Sequence, residues 1–171
     1  MENFSKRAWA EIDLDALEYN FKSIKSKLSK NTKLLCVLKA DAYGHGAGFL
    51  VNRYEKLGAD FYGVSNIDEA VQLRKSGAKK PILIFGYTDP EMAEILCKYD
   101  ISQAVFSHEY AEKLYDKCKV SDFNLIIGSN ITGDIKWMSS EIFAKYLIAF
   151  TKTEAELSKV SVLLPVIIVP S

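Results

Sequence analysis

The sequence predicts an α/β fold in which parallel strands alternate with helices. Two observations support this prediction. Short runs of consecutive apolar residues, such as LLCVL and PILIFG, recur roughly every 20 to 25 residues, as expected for strands buried on both faces of a parallel sheet. Segments with helical spacing of apolar residues separate these runs, and such an order produces a parallel sheet with right-handed crossovers.

The first helix is predicted over residues 13–28, where Leu14, Leu17 and Phe21 begin an apolar stripe that continues to Leu28. Asp13 or Asp15 can cap its start. Before it, RAWAEIDL (7–14) indicates an additional strand. The predicted strands are 34–38, 61–65, 81–86, 102–107 and 123–128, and the predicted helices after the first are 48–58, 66–77, 89–100 and 108–118.

Local signals support these helix boundaries. Gly58 is placed to end the second helix, and an Asn or Asp at 66–68 to start the third. Pro90 falls in the first turn of the fourth, where its missing N–H costs nothing. After about residue 120 the alternation weakens to one long helix, 139–158, and one apolar strand, 160–169. We therefore divide the chain into 7–120, which carries the repeats, and a divergent tail, 121–171.

Composition narrows the class of protein. Of the 171 residues, 49% are hydrophobic, and 22 basic residues balance 22 acidic ones, so nothing favours a nucleic acid or an acidic membrane as partner. Cys36, Cys97 and Cys118 are odd in number and far apart, which fits reduced thiols better than a disulfide framework. Without a secretory signal or a membrane-length apolar run, the prediction is a cytoplasmic enzyme or binding protein.

The segment LLCVLKADAYGHG (34–46) is the candidate site. Side chains at the carboxyl ends of parallel strands form the reaction site in βα architectures, and Lys39 ends such a strand. A lysine partly desolvated by the strand walls loses some preference for its charged form, and a neutral amine is a nucleophile that can form a Schiff base with an aldehyde. Pyridoxal phosphate is the main biological aldehyde of this kind.

The residues after Lys39 fit such a site. The Tyr43 phenol could bond a phosphate oxygen, Gly44 and Gly46 allow a tight loop, and His45 could orient a neighbour or accept a proton. A solvated strand cap followed by an ordinary loop would give the same residue types. No metal site is predicted.

Four segments resemble the amino-terminal half of the alanine racemases, in order and with matching spacing, from about residue 7 to about 119. The stretch KADAYGHG is highly specific, and the other blocks are moderately so. The segments are RAWAEIDLDALEYNFKSIK, LLCVLKADAYGHGA, FYGVSNIDEAVQLRKSGAKKPILIFG and YDISQAVFSHEYAEKL.

The resemblance implies a partial TIM-type (β/α)8 barrel that holds pyridoxal 5′-phosphate. Lys39 would be the Schiff-base lysine and the base on one face of the substrate, and Tyr43 would bind the cofactor phosphate. The implied reaction converts L-alanine to D-alanine, which bacteria use for peptidoglycan. A homodimer is implied for the full-length family, whose second base is a tyrosine from the carboxyl-terminal β domain of the partner subunit.

The resemblance ends near residue 120. NLIIGSNITGDIKW keeps a threonine and a glycine of the family's next motif but lacks its Met-x-Arg, and the later strands and β domain are not recognisable. At 171 residues the chain is also short for a complete barrel, which takes roughly 250. Either the chain is truncated or frameshifted after about residue 120, or it is a shortened homologue with a different ending. We expect impaired activity, with a non-catalytic cofactor-binding or self-associating half-barrel as the alternative.

Overall fold

A computed structural model describes residues 10–30, 32–117, 125–127, 162–163 and 166–169, with backbone only for His108 and for the strands after residue 117. Its strands are β1 (Lys33–Val37), β2 (Phe61–Val64), β3 (Ile82–Ile84), β4 (Ile101–Val105), β5 (Leu125–Ile127), β6 (Val162–Leu163) and β7 (Val166–Val169). Its helices are α1 (Leu14–Lys25), α2 (Lys39–Gly44), α3 (Ala47–Leu57), α4 (Ile67–Lys75), α5 (Ala93–Lys98), preceded by a 3-10 turn at Pro90–Met92, and α6 (His108–Lys117).

All these strands belong to one sheet with the order β5-β4-β3-β2-β1-β7-β6. The strands β1 to β5 are parallel to one another, each paired with the next along the chain. This arrangement confirms the predicted α/β fold of parallel βα repeats. The tail adds a feature that the sequence did not predict, because β7 pairs antiparallel with the free side of β1.

The structure confirms the predicted helix boundaries at three capping residues. Asp13, one of the two candidates, caps α1 by accepting hydrogen bonds from the amides of Asp15 and Ala16, both at 2.9 Å. Asn66 caps α4 through the Glu69 amide at 3.0 Å. Gly58 ends α3 with a φ of 83°, the left-handed conformation that glycine adopts without strain.

Three segments differ from the predictions or lie outside the described residues. The described part of the predicted strand 7–14 contains no strand, and Leu14 already belongs to α1, whose apolar stripe packs on the core. The predicted strand 160–169 is divided into β6 and β7, which pair antiparallel with each other. The predicted helix 139–158 lies outside the described residues.

Two apolar clusters occupy opposite faces of the sheet. The larger cluster lies between the sheet and the helices and includes fully buried Leu34, Tyr62 and Leu114. The smaller one contains strand residues only, and we call it the inner cluster: it comprises Leu35, Val37 and Leu83, with Phe61 and Ala104 packed against them. In a closed barrel the face away from the helices is the interior.

Two cysteines differ in state. Cys36 is a free thiol in β1, and burial raises its pKa to about 12, with a smaller effect from the Asp60 carboxylate. Cys97 is disulfide-bonded, so the expectation of reduced thiols is met at Cys36 and is wrong at Cys97. Within the described residues, no helix has the length and apolar character needed to cross a membrane.

Arg74 fixes the amino-terminal ends of β3 and β4. Its guanidinium donates to the carbonyl oxygens of Ala78 and Lys80 before β3, at 3.0 and 2.7 Å. It also donates to the carbonyls of Tyr99 and Asp100 before β4, at 2.8 and 2.6 Å. The side chain is 12% exposed, and its desolvation lowers the arginine pKa while the Asp100 carboxylate opposes that effect. A single planar group thus satisfies four backbone acceptors.

We predict that Arg74→Lys lowers the free energy of unfolding by about 1.5–3 kcal/mol, the range for hydrogen bonds to a charged group. A lysine ammonium is a point donor and cannot span four carbonyls as the guanidinium fork does. Urea denaturation measures the change. The control is Lys75→Met, because Lys75 is the neighbouring residue in α4 and is exposed. This substitution should alter the free energy of unfolding by less than about 0.5 kcal/mol. Equal stability of Arg74→Lys and wild type would contradict this role.

Candidate active site

The four central parallel strands end at one edge of the sheet, and this edge is the candidate site. Ser65, Phe85 and Phe106 directly follow β2, β3 and β4, and Lys39 lies two residues after the end of β1. Phe85 and Phe106 are 37% and 55% exposed, so aromatic surface lies open here. Carboxyl ends of parallel strands meet at one edge, which is where ligands bind in α/β folds.

Lys39 lies two residues beyond the end of β1, after Leu38, as the first residue of α2. It is half-buried, and its amine is 6.0 Å from the centre of the Tyr43 ring, at the outer limit of a cation–π contact. Among the residues that the structure describes, no carboxylate forms an ion pair with this amine. The amine is therefore not already neutralised by a described partner.

The segment after Lys39 is a left-handed turn rather than the loop that the sequence predicts. Ala40, Asp41, Ala42 and Tyr43 all have φ between 49° and 57° and ψ between 37° and 49°. For residues other than glycine this conformation costs roughly 1–2 kcal/mol each. Gly44 and Gly46 follow with φ of 85°, which confirms that glycines let the chain turn tightly here.

Backbone hydrogen bonds anchor the two ends of this turn. The Leu38 amide donates to the Gly63 carbonyl of β2 at 2.8 Å, and the Leu38 carbonyl accepts from the Ala42 amide at 3.0 Å. The Gly46 amide donates to the Asp41 carbonyl, also at 3.0 Å. The turn is thereby joined to β2 at its start and closed on itself at its end.

Asp41 joins the turn to the next helix. The position that caps α3 is Gly46, which has no side chain to accept a hydrogen bond. The Asp41 carboxylate supplies the missing acceptor and receives the Ala47 amide at 2.7 Å. Asp41 therefore caps α3 from six positions upstream, a role that a carboxylate near a helix amino terminus favours electrostatically.

His45 stabilises the same turn. Its side chain is exposed, and Nδ1 lies 2.9 Å from the Ala42 carbonyl oxygen. A carbonyl only accepts, so Nδ1 carries the proton in this contact. The sequence allowed His45 to orient a neighbour or to accept a proton, and the geometry supports the first of these.

Tyr43 lies beside Lys39 and is 40% exposed. Its side chain also borders a cavity of about 520 Å³ between α1 and the turn, together with His45, Leu17 and Phe21. The structure thus brings the two sequence-predicted site residues, Lys39 and Tyr43, to the same side of one turn.

Gly63 and Phe85 are site residues that sequence reasoning missed. A Cβ atom at Gly63 would lie 2.4 Å from Cζ of Phe85 and 2.9 Å from Cδ2 of Leu35. The Phe85 ring therefore rests directly on the β2 backbone, on the side that carries the inner cluster. A glycine inside a strand was the available signal, because it often marks such a close approach.

Glu69 was also missed. Its carboxylate accepts the Ser65 amide at 2.7 Å and the Ala40 amide at 2.8 Å, and so connects the ends of β1 and β2. The pattern NIDE signals a capping residue at this position. No pattern in the sequence indicates the contact with Ala40, which is 29 residues away.

Comparison with known proteins identifies the family of this arrangement. Residues 12–128 match the family model described as alanine racemase, N-terminal domain. The chain is 46% identical over 104 residues to alanine racemase 1 of Caldanaerobacter subterraneus subsp. tengcongensis, and 45% identical over 119 residues to alanine racemase 1 of Clostridium acetobutylicum. These alignments cover 61% and 70% of this chain.

A solved structure shows the same fold. Alanine racemase of Clostridium difficile 630 in complex with cycloserine superposes with a TM-score of 0.71 and 34% identity, over 78% of this chain and 36% of that one. The two curated relatives are covered over 27% and 31% of their length. The chain therefore spans about a third of the length of the proteins that it matches.

Proposed function

This chain belongs to the alanine racemase N-terminal domain family, and we propose that it carries the cofactor-binding part of a pyridoxal 5′-phosphate-dependent alanine racemase. The observation that carries the proposal is the position of Lys39. It follows a parallel strand at the carboxyl edge of the sheet, is half-buried, and has no ion-pair partner among the described residues.

The residues present fit the cofactor by the chemistry of their donors. A primary amine is the group that reacts with an aldehyde, and a phenol hydroxyl can donate to a phosphate oxygen. Lys39 and Tyr43 supply these two groups within a single turn, with the amine 6.0 Å from the ring centre. We propose that Lys39 holds the aldehyde end of the cofactor and that Tyr43 holds its phosphate.

Lys39 would also act on the substrate. Its Nζ can take a proton from one face of the α-carbon of an amino acid and return it there. The chemistry that the cofactor supplies when bound is delocalisation of the negative charge left at that carbon. Lys39 is half-buried, and the Phe85 ring lies on the neighbouring strand end as an apolar surface.

Alanine is the proposed substrate because the two curated relatives named above are alanine racemases. By the same resemblance we propose that the product, D-alanine, serves peptidoglycan synthesis in the bacterial cytoplasm and that the full-length protein is a homodimer. Within this chain we assign the function to residues 7–120 and none of it to residues 121–171.

A second function is a self-associating half-barrel without catalysis. The exposed rings of Tyr87 and Phe106 favour it: with Tyr110 they form an aromatic cluster at the strand ends, with ring centres 4.8–6.3 Å apart. Exposed aromatic surface of this kind often mediates association. Specific attachment of the cofactor at Lys39 would favour the first function over this one.

We predict that pyridoxal 5′-phosphate attaches covalently to Lys39. Incubation of the full chain with the cofactor should give a visible absorbance band. Borohydride reduction followed by peptide mapping should then place the adduct at Lys39, because Lys39 is half-buried at the end of a buried strand while the other lysines that the structure describes are exposed. Lys39→Ala should abolish the adduct without unfolding the chain.

Lys33 provides the matched control, since it is the exposed lysine at the opposite end of the same strand. Lys33→Ala should leave the adduct unchanged. An adduct spread over surface lysines, or one that survives Lys39→Ala, would overturn the assignment and favour the self-associating half-barrel.

We predict that Tyr43→Phe weakens binding of pyridoxal 5′-phosphate by about 1.5–3 kcal/mol, the worth of a hydrogen bond to a charged group. The ring remains, so the free energy of unfolding should be unchanged. A titration followed by absorbance measures the affinity. Tyr19→Phe, in α1 and 71% exposed, should have no effect. If Tyr43→Phe and wild type bind pyridoxal 5′-phosphate with equal affinity, the Tyr43 hydroxyl does not bind the phosphate, and Tyr43 is an ordinary aromatic residue of a loop.

We predict very low or no alanine racemase activity for these 171 residues by themselves. Racemisation needs one proton-exchanging group on each face of the α-carbon, and Lys39 can serve one face. Loss of one positioned acid or base typically costs 10²–10⁴-fold in rate. A coupled D-alanine assay on the purified chain measures this. Turnover near the typical enzyme value of about 10 s⁻¹ would show that the chain contains a second base.

A further inference from the structure

Glu69 makes two hydrogen bonds that connect separate parts of the candidate site. Oε1 accepts the Ala40 amide at 2.8 Å, and Oε2 accepts the Ser65 amide at 2.7 Å. Ala40 directly follows Lys39, and Ser65 directly follows β2. One half-buried carboxylate on α4 therefore holds the backbone next to Lys39 against the end of the adjacent strand.

These contacts complete the restraint of the Lys39 backbone. Two peptide groups flank the Lys39 Cα atom. The carbonyl of the first, that of Leu38, accepts from the Ala42 amide at 3.0 Å. The N–H of the second, that of Ala40, donates to Glu69. With both peptide planes fixed, the direction in which the Lys39 side chain leaves the backbone is fixed as well.

Helix capping alone does not explain both hydrogen bonds of the Glu69 carboxylate. It is the third residue of α4 after the cap Asn66, and in a capping box such a glutamate bonds the amide of the cap residue. Here one oxygen goes instead to Ser65, one residue earlier, which still serves the start of the helix. The other oxygen goes to Ala40, a contact from which α4 gains nothing.

The turn that Glu69 contacts needs external support. Four consecutive residues, Ala40–Tyr43, have left-handed dihedrals that cost roughly 1–2 kcal/mol each outside glycine. Such strain persists only where surrounding contacts over-determine the conformation. Asp41 supports the far end of the turn through α3, and Glu69 supports the end next to Lys39.

We propose that Glu69 is a positioning residue for Lys39, holding the first peptide of the left-handed turn so that the amine is presented at the carboxyl edge of the sheet. This inference rests on the proposed function of Lys39 in cofactor attachment. Without the carboxylate the turn relaxes in the free chain. The free energy needed to form the turn again then weakens cofactor binding, as for any site that is not preorganised.

The experiment compares Glu69→Gln with Asp68→Asn. Both variants remove one negative charge from the first turn of α4, but only Glu69 contacts Ala40. Glutamine keeps one acceptor oxygen and places an N–H₂ group where the second acceptor was. Glu69→Ala removes both acceptors and should exceed Glu69→Gln in every effect. If Glu69→Ala does not fold, Glu69→Gln alone decides.

Two readouts are measured on the full chain. The first is hydrogen–deuterium exchange of the Ala40 amide without cofactor, which should accelerate at least about tenfold in Glu69→Gln and stay unchanged in Asp68→Asn. The second is the half-saturating concentration of pyridoxal 5′-phosphate for the borohydride-trapped Lys39 adduct. It should rise at least about tenfold in Glu69→Gln only.

The outcomes separate this inference from the proposed function. A wild-type chain that forms no Lys39 adduct contradicts the proposed function, and exchange at Ala40 then still decides whether Glu69 holds the turn. Unchanged exchange at Ala40 in Glu69→Gln overturns the inference. So does an unchanged half-saturating concentration in Glu69→Gln beside a specific wild-type adduct, since Glu69 would then support the helix alone.

Discussion

The register between β1 and β2 is the constraint on which the candidate site depends. Leu35, Cys36 and Val37 pair with Phe61, Tyr62 and Gly63. Because side chains alternate along a strand, this register assigns Leu35 and Val37 to the inner cluster and Cys36 to the larger core beneath the helices. A shift of β1 by one residue would exchange its two sets of side chains and would turn Lys33 toward the core beneath the helices. The same shift of β2 would turn Tyr62 away from that core. Lys39 is at the rim of the sheet because this pairing is fixed.

The turn after Lys39 shows how the chain maintains an unfavourable conformation where the site needs it. Consecutive non-glycine residues with left-handed dihedrals are intrinsically unfavourable. Here each neighbouring element contributes one hydrogen bond that stabilises the turn. The strand β2 binds Leu38, α4 binds Ala40 through Glu69, and α3 is capped by Asp41. The acceptors that stabilise the helices therefore also stabilise the turn, so that the fold and the site share the same contacts.

The two ends of the sheet are fixed by different chemistry. At the amino-terminal ends of β3 and β4, a nearly buried guanidinium satisfies four carbonyls. At the carboxyl ends, a carboxylate satisfies amides. This polarity follows from the backbone, because arginine carries only donors and a carboxylate only acceptors. The stable amino-terminal end leaves the opposite end available for a lysine, a phenol and exposed aromatic rings.

The sequence by itself determined the alternation of strands and helices, the starts of α1 and α4 with two candidate caps for each, and the placement of Lys39 at a strand end. These features depend on local periodicity and on short-range capping, which a single chain segment encodes. Only the tertiary structure decided the left-handed turn, the contact between Glu69 and Ala40, the Phe85 ring over Gly63 and the antiparallel pairing of β7 with β1. Each of these joins residues that are distant in sequence or holds a conformation that local propensity disfavours, so the neighbouring elements, and not the segment itself, supply the free energy.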